Sequence, residues 1–208
     1  MPVVANLRCS SLKERHWEDI RSVINFNISL DSNVTLGYLV ENDITKHASA
    51  ISTITTKAEN EEILFKMLKK ITHVWDRAEF QVVNYKDRRD YFILTEIDEV
   101  TMILDDSMVS INTILGSPYV GAIRESVEEW RDKLFLLQQT LESWMECQRS
   151  WIHLETIFAA PDIQKQLPTE SKAFKGVDAQ WKDVMKRTST DPNCIRSGCV
   201  RSLQVRSD

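Results

Sequence analysis

The most constraining feature of this sequence is a stretch, residues 122–160, that contains neither glycine nor proline. Both residue types interrupt helices, glycine through its backbone freedom and proline because it lacks an amide proton and clashes with the preceding turn. Their absence permits one helix of about 35 residues, which at 1.5 Å per residue is about 50 Å long. A helix of that length is long for a globular domain and needs other elements to cover its apolar side.

Large apolar residues recur at every seventh position along this stretch. A seven-residue repeat keeps side chains on one side of a helix, so it predicts a continuous buried seam. Each large aromatic ring can bury about 150 to 250 Å², which makes a structural role the first expectation for the tryptophans. The seam consists of Trp130, Leu137, Trp144, Trp151 and Phe158, accompanied by Val127, Leu134 and Leu141.

Helical periodicity recurs elsewhere, and only five glycines and five prolines interrupt the 208 residues. Ser11 precedes Glu14 by three residues, which is the spacing of a capping box and predicts a helix start there. The prolines around residues 161–170 predict a turn or a short helix. Apolar periods predict further helices over residues 11–24, 44–59, 61–80, 97–115 and 171–187.

Two short segments, 80–85 and 91–96, are rich in aromatic and β-branched residues and flank the polar run KDRRD. They predict a small two-stranded β-hairpin, which must lean on helices to be stable. The expected fold is therefore all-α, an elongated multi-helix bundle with one long central helix and this hairpin. We expect residues 1–10 to form an N-terminal extension, residues 11–187 the helical body, and residues 188–208 a flexible tail, since the last segment has no sustained apolar period.

Composition excludes several classes of protein. The net charge of -5 and the pI of about 5.5 provide no broad positive field for nucleic acid. No apolar run approaches the roughly 18 residues of a membrane span, and MPVVANLRCS lacks the apolar core of a secretion signal. The four cysteines, Cys9, Cys147, Cys194 and Cys199, are few and irregularly spaced, as expected for reduced thiols in a soluble intracellular protein.

Motifs for catalysis are weak. No P-loop occurs, and GSPYVG at 116–121 lacks the lysine and flanking strand of a phosphate-binding loop, so an ordinary helix connection is expected. A metal site could use His153 with Cys194 and Cys199. Alternatively, H-x-E at 153–155 could be a deaminase fragment with Glu155 as a proton shuttle, but the partner P-C-x-x-C is missing. We therefore nominate no catalytic, cofactor-binding or metal-binding residue and expect no enzyme. Other polar groups expected on solvated faces are Asp105-Asp106, Glu128-Glu129, and the lysines Lys66, Lys69, Lys70, Lys172, Lys175 and Lys182, which could also form a partner surface.

An ordered set of short motifs covers residues 10–187 and resembles the dynein heavy chain, in the linker region that precedes its AAA+ ring. The residue sequences GSPY and APDIQKQLP resemble the corresponding motifs of axonemal heavy chains. The motifs are LKERHW at 12–17, DEV-x-x-x-LDD at 98–106, GSPY at 116–119, W-x-x-x-L-x-x-L-Q from Trp130, W-x-x-x-Q-x-x-W-I-H-L-E-x-I-F from Trp144, PDIQKQLP at 161–168 and F-x-x-VD-x-x-W from Phe174.

The resemblance implies a mechanical role. In that family the linker is a helical lever that bends and straightens across the ring as ATP is turned over, while a stalk grips microtubules. The implied partners are the AAA+ ring, the remaining linker, and the dynein intermediate and light intermediate chains, with microtubules only indirectly. The implied location is the cytoplasm and cytoskeleton, in the axoneme of a cilium or flagellum. Because residues 188–208 depart from the family's pattern, we expect this chain to be a fragment.

Two alternatives to the lever stay open at this stage. The first is a helical protein-interaction module that binds dynein subunits without producing force. The second is a small metal-dependent enzyme built on His153 and the terminal cysteines, which stoichiometric zinc would support.

Overall fold

The computed structural model describes residues 2–24, 37, 41–86 and 88–199. The chain is mostly helical with one two-stranded antiparallel sheet, which confirms the predicted fold class and the hairpin. No helix among the described residues is long and apolar enough to cross a membrane. The helices are α1 (Pro2–Leu7), α2 (Glu14–Ile24), α3 (Ala48–Arg77), α4 (Ile97–Leu115), α5 (Arg124–Phe158), α6 (Pro161–Gln166), α7 (Pro168–Thr190) and α8 (Cys194–Gly198), the strands are β1 (Gln81–Asn84) and β2 (Phe92–Thr95), and two 3-10 helices span Ile44–His47 and Val120–Ile123.

The chain packs as two compact units. The first contains Met1–Lys69 and Ile114–Arg124, and the second contains Lys70–Thr113 and Glu125–Asp208. The core of the first unit joins α1, α2 and the start of α3. Its buried residues are Val3, Trp17, Ile20, Ile24, Ile44 and Ile51.

The start of α2 differs from the predicted capping box. The helix begins at Glu14, and the backbone amide of Lys13 donates to Nδ1 of His16 at 3.1 Å. Because Nδ1 accepts this bond, the ring proton lies on Nε2, which is 3.0 Å from the carboxylate of Glu61. Arg15 binds the same carboxylate. His16, fully buried, therefore replaces the expected serine and glutamate as the residue that satisfies the helix start.

The two helices predicted over 44–59 and 61–80 are largely one element in the structure, since α3 runs for 30 residues from Ala48 to Arg77. The two predicted segments adjoin within the polar run TTKAENEE, residues 55–62. That run contains no glycine or proline, and its residues Thr55 and Ala58 are buried, so the helix continues through it.

The long helix α5 spans 35 residues, as the glycine- and proline-free stretch predicted. Its buried stripe contains the predicted seam, although Trp130 and Phe158 are only partly buried. Two polar side chains, Gln148 and Glu155, belong to the buried stripe although they were not part of the predicted seam. The buried residues are Val127, Leu134, Leu137, Leu141, Trp144, Gln148, Trp151 and Glu155.

The predicted flexible tail does not begin at residue 188. Helix α7 continues to Thr190, the backbone amide of Phe80 donates to Pro192, and Asn193 caps α8 by accepting from the amide of Arg196. Gly198 lies so close to α5 that a Cβ there would stand 2.3 Å from a methyl group of Leu137. The contacts of Phe80 with Pro192 and of Gly198 with Leu137 connect positions far apart in the sequence, so helical periodicity does not predict them. Residues 200–208 lie outside the described part of the chain.

Candidate functional site at the hairpin junction

The β-hairpin is short and regular. Gln81 pairs with Thr95 and Asn84 pairs with Phe92, inside the segments that the sequence predicted. Lys86, in the connection between the strands, and Glu96, directly after β2, adopt positive φ angles of 49° and 53°. Left-handed backbone costs a residue with a side chain about 1 to 2 kcal/mol, so surrounding contacts must hold this hairpin in place.

Gln148 of α5 supplies the first of these contacts. Its Oε1 accepts from the backbone amide of Leu94 at 2.8 Å, and its Nε2 donates to the carbonyl of the same residue at 2.9 Å. The primary amide thus imitates the edge of a neighbouring strand, and both backbone groups of the buried Leu94 are satisfied.

Glu155, two helical turns further along α5, supplies the second contact. Its carboxylate is buried and binds Nζ of Lys86 at 2.9 Å through one oxygen and Nη1 of Arg88 at 2.9 Å through the other. Both cations belong to the hairpin connection. A buried carboxylate is stable only when it is paired, and here two cations pair with it at the hairpin tip.

Aromatic rings fill the space between these two polar contacts. Trp151 lies at the centre, with ring centroids 5.3 Å from Tyr85, 6.1 Å from Tyr91 and 5.3 Å from Trp181. Phe80, just before β1, packs edge-on against Trp144 at 5.5 Å. The seam predicted from the sequence therefore packs against the hairpin and against α7.

Helix α7 is fastened to the same point through Asp178. One carboxylate oxygen accepts from the indole Nε1 of Trp151 at 3.2 Å, and the other pairs with Lys182 at 2.7 Å. The ammonium group of Lys182 also lies 4.1 Å from the ring centroid of Tyr91. We call this set of contacts among α5, α7 and the hairpin the hairpin junction.

The charges at the junction stabilise each other. Hydrogen bonding to Tyr85, and then to Glu155, raises the pKa of Lys86 above its ordinary value. Burial opposes protonation of Lys182, yet hydrogen bonds to Asp178 and Tyr91 raise its pKa overall. Both lysines therefore stay cationic at neutral pH, and the ion pairs of the junction persist.

The candidate metal residues do not come together. His153 is exposed on α5, whereas Cys194 is buried and burial, with the nearby charge of Glu79, raises its thiol pKa to about 12. Among the described residues, no group of three histidine, cysteine or acidic side chains could hold a metal ion. Glu155, considered as a proton shuttle, instead pairs with the hairpin cations.

The other polar segments and side chains named from the sequence lie in a turn, on an exposed helix face or at the junction. GSPYVG forms a turn and the start of a 3-10 helix, with the Ser117 hydroxyl accepting from the amide of Tyr119. Asp105 and Asp106 are exposed, as expected for a solvated face. Of the lysines named from the sequence, Lys182 is the one that enters the junction.

The sequence did not lead us to place Gln148 or Glu155 in the buried stripe, and Glu155 was considered only as a proton shuttle. They continue the row Val127, Leu134 and Leu141 at the same seven-residue interval. A polar residue at a position that periodicity assigns to the core needs a buried partner, and this was the available signal. The junction contains no nucleophile poised beside a base. Its bonds hold a helix, a hairpin and a second helix in one arrangement.

Comparison with known proteins gives consistent results. Residues 1–206 match the family model for dynein heavy chain, N-terminal region 2. The chain is 38% identical to dynein axonemal heavy chain 6 of Homo sapiens over 204 residues, covering 98% of this chain and 5% of that protein. It is 36% identical to dynein axonemal heavy chain 1 of Homo sapiens over 186 residues, covering 89% of this chain and 4% of that protein.

A third relative, dynein axonemal heavy chain 12 of Rattus norvegicus, is 30% identical over 201 residues, which is 95% of this chain and 6% of that protein. The chain thus spans about a twentieth of the length of the curated relatives that it matches. The family match agrees with the resemblance seen in the motifs over residues 10–187, and it also includes residues 188–206, which we expected to depart from the family's pattern. This chain belongs to the dynein heavy chain family, matching its N-terminal region 2.

Proposed function

We propose that this chain is a segment of the dynein linker, the mechanical element that couples ATP turnover in a ring elsewhere in the heavy chain to movement along microtubules. The hairpin junction carries this proposal. There, α5 is held to the hairpin and to α7 by buried polar bonds and packed rings. A helix held at several points along its length bends less than a free helix, and a lever transmits force only if it resists bending.

The proposal assigns no catalytic step to this chain. ATP hydrolysis belongs to the ring, and the linker contributes by changing position with the nucleotide state. Partners would be the ring, the rest of the linker, and the intermediate and light intermediate chains. The names of the three relatives support a place in the axoneme of a cilium or flagellum, which localisation of the tagged heavy chain in ciliated cells tests directly.

The lever is tested by loosening the junction in an intact heavy chain. The variant Gln148→Ala/Glu155→Ala removes both polar contacts to the hairpin. We expect slower microtubule gliding at a retained rate of ATP hydrolysis, because chemistry continues while less of each linker movement reaches the microtubule. A matched control, Gln139→Ala/Glu146→Ala, removes the same two residue types from exposed positions of α5. Equal gliding velocities for the two variants would contradict the proposal.

The second candidate is a helical interaction module that binds dynein subunits without producing force. It is favoured by large apolar side chains exposed on α4, notably Met102 and Val109. Calorimetric titration with a purified intermediate chain or light intermediate chain tests it. A saturable complex supports this function, and the absence of measurable heat with both subunits argues against it.

A further inference from the structure

A groove with an apolar floor lies between α4 and α5, wholly within the second unit. Its volume is about 290 Å³, enough for one or two large side chains. Asp105 stands on the α4 side and Glu142 on the α5 side. The floor is formed by Ile97, Leu104, Leu141 and Met145.

Exposed apolar side chains occur beside this groove on both helices. Val109, 66% exposed, lies one helical turn after Asp105 on α4. Phe135, 53% exposed, precedes the groove residue Gln138 by one helical turn on α5. Single exposed apolar residues are ordinary, but these two extend the apolar surface of the groove beyond its floor.

Acidic side chains surround the groove, and some of them stabilise neither the helix nor an ion pair. Helix α4 contains four acidic residues and no lysine, arginine or histidine. Asp98 and Glu99 lie in its first turn, where the helix dipole favours them. Asp105 and Asp106 lie in the middle of the helix, and neither has an ion pair with any residue that the structure describes.

Charge on the facing helix strengthens this field. Glu142 receives a hydrogen bond of 3.4 Å from the neutral amide of Gln138 and is not neutralised by it. Of the residues lining the groove, Arg149 is the single cation. The rim thus presents carboxylates to solvent around an apolar floor.

We propose that this groove binds a basic amphipathic helix of a separate protein. Apolar anchors of the helix enter between α4 and α5, and its flanking lysines and arginines pair with Asp105 and Glu142. A small groove with a charged rim is typical of contacts that form and release, whereas permanent interfaces are larger and more apolar. The inference does not depend on the lever, since it concerns surface groups that the hairpin junction does not use.

The test uses two labelled synthetic peptides of equal length. One has a leucine face flanked by lysines, and the other has glutamate in place of each lysine. Fluorescence anisotropy is measured as the whole chain is titrated into each peptide at low and at high salt. We expect saturable binding of the lysine peptide that weakens with salt, and no binding of the glutamate peptide.

Substitutions at the groove test whether the lysine peptide binds there. Asp105→Lys/Glu142→Lys reverses the rim, and we expect it to weaken binding about tenfold or more while the circular dichroism stays unchanged, because both residues are exposed. Glu18→Lys/Glu129→Lys, at exposed positions outside the groove, makes the same change in net charge and is the matched control, which should bind as the parent does. Val109→Ala/Phe135→Ala should weaken binding without changing its salt dependence.

Three results would overturn the proposal. They are the absence of saturable binding at low salt, equal affinity of the parent and the reversed rim, and equal binding of both peptides. The same titration on an intact heavy chain that contains this segment shows whether the helix bound in the groove belongs to a separate protein or to the heavy chain itself. Retained binding there supports a separate partner, and loss there means that another segment of the heavy chain occupies the groove.

Discussion

Trp144 and Trp151, both buried on α5, differ in the hydrogen bonding of the indole Nε1, and this difference predicts unequal losses of stability on the same substitution. The indole Nε1 of Trp151 donates to the carboxylate of Asp178 at 3.2 Å. The Nε1 of Trp144 is equally buried but has no hydrogen-bond partner among the described residues. Replacing each tryptophan with phenylalanine removes the Nε1 group and part of the ring from both sites.

The expected free energies follow from that contrast. Loss of part of the ring costs about 1 to 2 kcal/mol at each site. At Trp151 the lost bond to a charged group adds about 1.5 to 3 kcal/mol, whereas at Trp144 removal of an unsatisfied donor returns about 1 to 3 kcal/mol. We therefore expect Trp151→Phe to lower the free energy of unfolding by about 2.5 to 5 kcal/mol, whereas Trp144→Phe should change it by an amount between a loss of about 1 kcal/mol and a gain of about 2 kcal/mol.

The assay is urea unfolding followed by far-ultraviolet circular dichroism, with amide exchange at Leu94 and Leu137 as a local probe of the second unit. The alanine variants of both residues provide the reference, each expected to lose about 3 to 5 kcal/mol through transfer and cavity terms. Equal losses for the two phenylalanine variants would refute the assigned role of Asp178. Unchanged stability in both alanine variants would refute the seam itself.

Three further predictions concern single polar groups. Gln148→Leu should cost about 2 to 4 kcal/mol and speed amide exchange at Leu94, because the buried amide and carbonyl of Leu94 lose their partners. Glu155→Ala should lower the free energy of unfolding by only about 1 to 2 kcal/mol in thermal melts, because the side chains of Lys86 and Arg88 are 48% and 45% exposed and return to water. Burial of Glu61 opposes ionisation, but hydrogen bonds from Arg15, and from His16, hold its pKa below the ordinary 4.5. Its stabilisation is therefore present above that pH and is lost as the pH falls through the lower folded value. The protection factors of the α2 amides, which are corrected for the intrinsic slowing of exchange in acid, should fall on acidification in the parent and change less in Glu61→Gln. A parent and a Glu61→Gln variant with the same acid dependence would contradict this assignment.

Much of the architecture is written locally in the sequence. The helix over residues 124–158 lies within the stretch 122–160, where no glycine or proline interrupts the backbone hydrogen bonds, and the seven-residue spacing from Trp130 already indicated its buried side. The hairpin also followed from local composition, since β-branched and aromatic residues flank a polar turn. These features depend on neighbours within a few residues, which a sequence displays directly.

The contacts of the hairpin junction depended on the tertiary structure. Gln148 bonds to Leu94 across 54 positions and Glu155 bonds to Lys86 across 69, so no local pattern names either partner. The order in residues 188–199 has the same origin, because Asn193 bonds to backbone carbonyls of α3 that are 117 and 118 positions away. Periodicity and propensity are set by the chain's own turn-by-turn geometry, whereas the partner of a buried polar group is set by which distant segment the fold brings beside it.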